Sequence, residues 1–172
     1  ETGSFSLIAW IYNYWGKKRG IYGNFMVASS VSIPYIYGAV SIGASGKVIV
    51  WFLALTSFLA GVGREIIKSM ADVKGDELRG VKSIARIHGA GKASQAGAIF
   101  FAAAIASASI PILIDIVGLA YILLILIPDA IFTYAIMKIL KDPSGKNALF
   151  VKKIALIGMA TGLIAFIVGG IY

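Results

Sequence analysis

The chain has 172 residues, of which 59% are hydrophobic and only 14% are charged, and its formal net charge is +8. Its mean hydropathy of +0.87 excludes an ordinary soluble domain and indicates a membrane protein. The chain contains no cysteine, which excludes disulfides and thiolate metal sites.

The first residues contain an apolar run that is shorter than a membrane span. Residues 5–15 cover about half of the roughly 20 apolar residues that a spanning helix needs. They also lack the basic start and small-residue cleavage site of a signal peptide. We expect them to be the end of a helix that begins upstream, with residues 1–172 forming the C-terminal portion of a single membrane domain. Processing of a precursor is the alternative.

Five later stretches are long or nearly long enough to span a bilayer. They cover residues 24–42, 48–62, 93–110, 116–137 and 154–172. The second is short, but its helix can continue into the charged residues that follow, whose aliphatic stems reach the headgroups. Because backbone polar groups must be satisfied inside a bilayer, these stretches predict an all-α integral membrane bundle of about five spans plus the initial helix end.

Basic residues alternate between the connections that join these stretches. By the positive-inside rule, the basic connections are cytoplasmic and the C-terminus lies outside. Because the positive charge follows membrane topology, we expect no nucleic-acid partner. The basic connections carry Lys17, Lys18 and Arg19, then Arg64, Lys68, Lys74, Arg79, Lys82, Arg86 and Lys92, then Lys138, Lys141, Lys146, Lys152 and Lys153.

The charged segment 63–80 follows the second span. If the helix of that span continues past Gly63, then Arg64, Lys68, Asp72 and Asp76 recur every four residues and form one stripe. We expect Gly75 to end or loosen this helix, since glycine costs about 1 kcal/mol relative to alanine in a helix interior.

Two carboxylates one turn apart suit Mg²⁺, which takes one or two protein carboxylates and completes its shell with water and phosphate oxygens. Arg64 and Lys68 would then contact the same phosphates. The segment therefore predicts a diphosphate site with Asp72 and Asp76 as metal ligands. The alternative is a set of surface ion pairs, such as Lys68 with Asp72, worth about 0 to 1 kcal/mol each.

The order R-E-x-x-K-x-x-x-D-x-x-G-D, from Arg64 to Asp76, resembles the second aspartate-rich motif of the UbiA superfamily of intramembrane prenyltransferases. The likeness is greatest to the archaeal ether-lipid branch of that family. Tyr14 and Lys18 match its YxxxK element, Asn24 follows a glycine at the start of the next helix, and G-x-K-S-I-A-R-I-H-G at residues 80–89 resembles the tail of the motif.

This resemblance implies a nine-helix fold around a cavity that opens to the cytoplasm and to lipid. It also implies that Tyr14 and Lys18 help to hold the diphosphate. The first aspartate-rich motif of the family is absent, so the N-terminal half of the same protein is an expected partner. Ser69 stands where the related pattern commonly has Asp, which leaves the number of metal ions open.

The resemblance implies Mg²⁺-dependent transfer of a geranylgeranyl group from its diphosphate to geranylgeranylglyceryl phosphate. Membrane lipid is a further expected partner, since it surrounds the protein. One alternative is a UbiA-type aromatic or quinone-precursor acceptor; another is a non-enzymatic transporter or membrane subunit. An acceptor phosphate needs its own basic pocket, for which Lys74, Arg79 and Lys82 are candidates.

Asp129 lies deep in an apolar run. An intramembrane carboxylate is costly, so it is either functional or a structural acceptor for a neighbouring helix. Small residues such as Gly97, Ala102, Ala104 and Ala106 permit close helix contacts that can shape a channel for an isoprenoid tail.

Overall fold

The structure is a computed structural model that describes residues 20–170. Every regular element in this part of the chain is an α-helix, which confirms the predicted fold class. The helices are α1 (Ile21–Ser41), α2 (Val48–Ala71), α3 (Val73–Leu78), α4 (Ile84–Leu113), α5 (Leu119–Lys141) and α6 (Gly145–Gly169).

Four of these helices, α2, α4, α5 and α6, are long and apolar enough to cross a membrane. The first predicted span is also a helix, α1, with 21 residues. It falls outside the four because it contains Asn24, several serines and three tyrosines. As expected, α2 continues past residue 62 into the charged segment, and it reaches Ala71.

The bundle is built around α2, which packs against α1, α4 and α6. The remaining long helix, α5, packs against α4 and α6. The main core joins fully buried residues of α2, α4, α5 and α6, including Ile66, Phe101, Ile139 and Val151. The long apolar stretches therefore form one packed unit, with α1 added along α2.

Glycines allow α2 and α4 to approach each other closely. A Cβ on Gly63 would lie 2.8 Å from Cδ1 of Phe101, and a Cβ on Gly97 would lie 2.6 Å from Cγ1 of Ile67. Such small-residue contacts are a common means of helix association in membranes, where dispersion replaces the hydrophobic effect. Of the small residues noted in the sequence, Gly97 and Ala104 are buried in this contact, whereas Ala102 and Ala106 face outward.

The polar connections gather at one end of the bundle. Gly145, at the start of α6, packs on the backbone of Met70 and Ala71 at the end of α2. Gly20, before α1, has a φ of +56° and lies against the carbonyl oxygen of Lys82, where a Cβ would overlap that atom. The start of α1, the 72–83 segment and the start of α6 therefore share one end.

Candidate active site

The helix that carries the charged stripe breaks at Asp72. This residue ends α2 and precedes α3 with a φ of −127° and a ψ of 35°, which are not helical values. From the sequence we expected the helix to break at Gly75. The break instead falls three residues earlier, at Asp72. Asp72 and Asp76 are therefore held by a turn and a short helix rather than by one continuous stripe.

Gly75 has a different role from the predicted one. It lies inside α3, and a Cβ at this position would overlap the carboxylate of Asp72. The absent side chain thus leaves the space into which the Asp72 carboxylate folds. Gly75 is a packing requirement of the site and not the residue that ends the helix.

Arg79 joins the two carboxylates. Its Nη2 atom donates to Oδ2 of Asp72 at 2.5 Å and to Oδ1 of Asp76 at 3.0 Å. The nearby guanidinium lowers the pKa of Asp72 below its ordinary value of 3.8, mainly through this hydrogen bond. Arg79 therefore stabilises Asp72 in the ionised form that a cation or a guanidinium requires.

Asp76 is the buried member of this group. The residue is only 7% exposed, and its Oδ2 is buried without a hydrogen-bond partner among the described residues. A buried carboxylate oxygen without a partner is costly, because its desolvation is not offset. This oxygen is accordingly available to a ligand that donates or carries positive charge.

Glu65 organises a second set of ion pairs. Its carboxylate accepts from Nη1 of Arg64 at 2.7 Å and from Nζ of Lys68 at 2.9 Å. The Glu65 side chain is nearly buried, while the Lys68 side chain is about half exposed. Glu65 thus holds the two cations, Arg64 and Lys68, that we predicted to bind phosphate. In the sequence, Glu65 was noted only as part of the motif, without a role of its own.

An open cavity of about 310 Å³ lies between these two groups. Its polar lining comes from α1, the end of α2, α3 and the segment before α4. The residues that line it are Gly20, Gly23, Asn24, Val27, Glu65, Lys68, Ser69, Asp72, Asp76, Arg79, Val81 and Ser83.

The structure brings together some of the predicted residues and separates others. Asn24, Lys68, Asp72 and Asp76 share the cavity. Arg64 is not among the lining residues, and its Nη1 atom donates to Glu65. Tyr14 and Lys18 lie outside the described residues.

Two further predicted residues lie away from this cavity. Lys74 is exposed on α3 and is absent from the cavity lining. Asp129 lines a separate small space of about 30 Å³ inside the bundle, with the polar residues Thr56 and Ser57 beside it. Its functional and structural interpretations both stay predictions.

Three cavity residues were not predicted from the sequence to be ligands beside the aspartates: Ser69, Arg79 and Ser83. The spacing from Asp76 to Arg79 is that of neighbours on a helix surface, so this ion pair had a local signal. The contact between Arg79 and Asp72 joins residues seven positions apart across the helix break, a separation that helix spacing does not predict.

The donor set at Asp72 and Asp76 suits a hard divalent cation in part. Among residues 20–170, no group of three or more His, Cys, Asp or Glu residues is placed to hold a metal ion. Mg²⁺, however, needs only one or two protein carboxylates when water and phosphate oxygens complete its shell. Two carboxylates in one cavity, with the free Oδ2 of Asp76, fit this mode of binding.

Taken together, the fold and the site define a helical membrane protein with an ion-paired, carboxylate-containing cavity at one end of its bundle. The chain belongs to the UbiA prenyltransferase family, whose pattern matches residues 2–157. This confirms the resemblance found in the sequence. The family is one of prenyltransferases, which favours the enzymatic interpretation over the transporter and the non-catalytic subunit.

Curated relatives give a narrower likeness. The chain is 34% identical to digeranylgeranylglyceryl phosphate synthase of Thermococcus sibiricus, over 96% of this chain and 58% of the relative. It is 35% identical to the synthase of the same name from Methanocaldococcus jannaschii, over 96% of this chain and 57% of the relative. The chain thus spans a little over half the length of these relatives.

A solved structure described as digeranylgeranylglyceryl phosphate synthase in membranes has the same fold. The TM-score is 0.87 at 33% sequence identity, and the match covers 96% of this chain and 58% of that one. The likeness to the archaeal ether-lipid branch therefore holds in both sequence and structure.

Proposed function

We propose that the whole protein transfers a geranylgeranyl group from geranylgeranyl diphosphate to geranylgeranylglyceryl phosphate, and that this chain is its C-terminal portion. The observation that carries the proposal is the shared cavity of Asp72, Asp76, Lys68 and Asn24, with a buried Asp76 oxygen that lacks a partner. The names of the curated relatives support the choice of substrates.

Five of the twelve cavity residues have a role in this proposal. Asp72 and Asp76 would hold Mg²⁺, which supplies charge neutralisation for the departing diphosphate. Lys68, whose side chain is half exposed, would bind a diphosphate oxygen with its ammonium, and the amide of Asn24, which lines the same cavity, would donate to another. Glu65 keeps Lys68 in position through the 2.9 Å ion pair.

The reaction breaks the bond between the allylic carbon and the diphosphate oxygen, and the bonding electrons leave with the diphosphate. The acceptor hydroxyl oxygen then forms the new ether bond with that carbon, and its proton leaves to the released diphosphate. The apolar bundle below the cavity shields the reacting carbon from water, which would otherwise give the free alcohol.

We place the cavity on the cytoplasmic face and the end of α6 outside. Support comes from the second and third basic connections, whose described residues lie near the cavity end, and from the positive-inside rule. We propose that the N-terminal portion of the protein supplies the first aspartate-rich motif opposite Asp72 and Asp76.

The test is a transfer assay with protein that includes its upstream sequence. Radiolabelled geranylgeranyl diphosphate and geranylgeranylglyceryl phosphate are supplied with and without Mg²⁺, for wild type, Asp72→Asn and Asp76→Asn. The control is Asp115→Asn, an exposed acidic position with a φ of 56°, which asparagine tolerates.

Product that needs Mg²⁺, disappears in both site variants and persists in the control is the expected result. Product that forms equally in the site variants contradicts the proposed roles of Asp72 and Asp76. Transfer to an aromatic acceptor such as 4-hydroxybenzoate, with none to the lipid phosphate, supports the alternative acceptor class instead.

A further inference from the structure

One guanidinium nitrogen holds both aspartates of the cavity. Nη2 of Arg79 makes the bonds to Asp72 and Asp76, and no other nitrogen of Arg79 contributes to them. An arginine side chain has five N–H donors in a fixed fork. Arg79 can therefore bind the carboxylates and still present donors to another anion.

We propose that Arg79 is a phosphate-binding residue that exchanges partners: it holds Asp72 and Asp76 through its Nη2 atom, and it moves to a phosphate when a divalent cation takes the two carboxylates. This inference rests on the proposed function, because it assumes that the cavity receives a divalent cation and a phosphate. It adds a residue that the predicted diphosphate site did not contain.

The charges of the cavity support the exchange. Its lining contains three carboxylates, Glu65, Asp72 and Asp76, and two cations, Lys68 and Arg79. Lys68 is paired with Glu65, so Arg79 is the cation that neutralises the aspartates. A divalent cation on those aspartates repels Arg79, whereas a phosphate arriving with the metal attracts it.

The position of Arg79 in the fold allows it to move. The residue follows the last residue of α3, and its side chain is 51% exposed. The next residue, Gly80, has a φ of +68° and open space where a side chain would lie. A small rotation at this turn can carry the guanidinium away from the carboxylates, along the wall of the cavity that it already lines, without moving the core.

Two phosphates could be the ligand, the diphosphate of the prenyl donor or the phosphate of the acceptor. Both present oxygens that match an arginine fork. Inorganic pyrophosphate serves as the probe for the first, and sn-glycerol 1-phosphate as the probe for the second.

The experiment uses the protein with its upstream sequence in lipid nanodiscs and compares wild type with Arg79→Gln and Arg79→Lys. Binding of Mn²⁺ alone is measured by electron paramagnetic resonance. Binding of each radiolabelled anion is then measured at a fixed free Mg²⁺ concentration. Lys92→Gln is the matched control, because it removes one exposed positive charge that does not line the cavity.

For Arg79→Gln we expect Mn²⁺ alone to bind roughly two to five times more tightly, since a partly exposed competing cation is gone. We expect one of the two anions to bind about ten times more weakly in the presence of Mg²⁺, since a charge-assisted bond is lost. Arg79→Lys should lie between the two, because it keeps the charge without the fork. The anion that weakens identifies the source of the phosphate.

The exchange is overturned if Mn²⁺ affinity does not rise in Arg79→Gln, or if neither anion weakens. It is also overturned if Lys92→Gln gives the same changes, since these would then reflect net charge. If the wild-type protein binds neither Mn²⁺ nor either anion, the proposed function is overturned together with the exchange. The earlier outcomes overturn the exchange alone, so the two failures can be told apart.

Discussion

The carboxylate of Asp72 lies against Gly75, in the space that a side chain at position 75 would occupy. The helix break at Asp72 turns this carboxylate back over α3, where Arg79 holds it. The geometry of the candidate site therefore depends on a missing Cβ as much as on the charged groups.

Gly75→Ala should disturb the site more than the fold. The new methyl group displaces the Asp72 carboxylate, which is an exposed and movable group, so Mn²⁺ binding should weaken about tenfold while the unfolding temperature stays within a few degrees. Gly91→Ala is the control, because its Cβ meets open space in α4. Unchanged Mn²⁺ binding in Gly75→Ala would show that Asp72 does not need its observed position.

Glu65→Gln should lower the free energy of unfolding by about 1 to 3 kcal/mol. This loss is smaller than that for breaking a fully buried ion pair, because the Lys68 side chain is half exposed. The loss arises because Arg64 and Lys68 both lose their anionic partner. Thermal unfolding in nanodiscs measures the change. Glu77→Gln, at an exposed position of α3 without an ion pair in the described part of the chain, should have little effect; equal losses in both variants would contradict a special role for Glu65.

Gly63→Ala should loosen the contact between α2 and α4. Its Cβ would lie 2.8 Å from the Phe101 ring and 3.1 Å from the carbonyl oxygen of Gly97, so the helices must separate at a cost of about 1 to 3 kcal/mol. The unfolding midpoint measures this cost. Gly38→Ala in α1, which meets no atom within 4 Å, is the control and should be neutral or slightly stabilising.

The pKa of Asp72 should lie below 3.8 in the metal-free protein and rise toward that value in Arg79→Gln. Because the folded-state pKa is lowered, the ion pair stabilises the fold fully above the ordinary value and loses this effect as the pH falls through the folded-state pKa. Carboxyl ¹³C chemical shifts, followed against pH in both proteins, measure the two midpoints. Identical midpoints would show that Arg79 does not stabilise the ionised carboxylate.

The helices were largely predictable because their signal is local. Helices α4, α5 and α6 each cover all or most of a predicted apolar stretch of roughly the length that a bilayer requires, whereas α2 reaches that length only with its charged extension. The extension of α2 into the charged segment was also expected, since charged side chains with long stems can continue a helix to the interface. The helix break was misplaced because glycine's low propensity at Gly75 is a weak local effect, whereas the contacts of Asp72 decide where the helix ends.

The sequence by itself determined the membrane class, the all-helical architecture and the family, because hydropathy, basic connections and the spacing from Arg64 to Asp76 are properties of neighbouring residues. Only the tertiary structure decided which of the charged groups meet. It turned Arg64 to Glu65, brought Arg79 to both aspartates and placed Asn24 in the lining of the same cavity. The contact of Arg79 with Asp72 and the position of Asn24 depend on the turn at Asp72 and on the packing of Gly20 against Lys82, and therefore on distances between segments that no spacing within one helix contains.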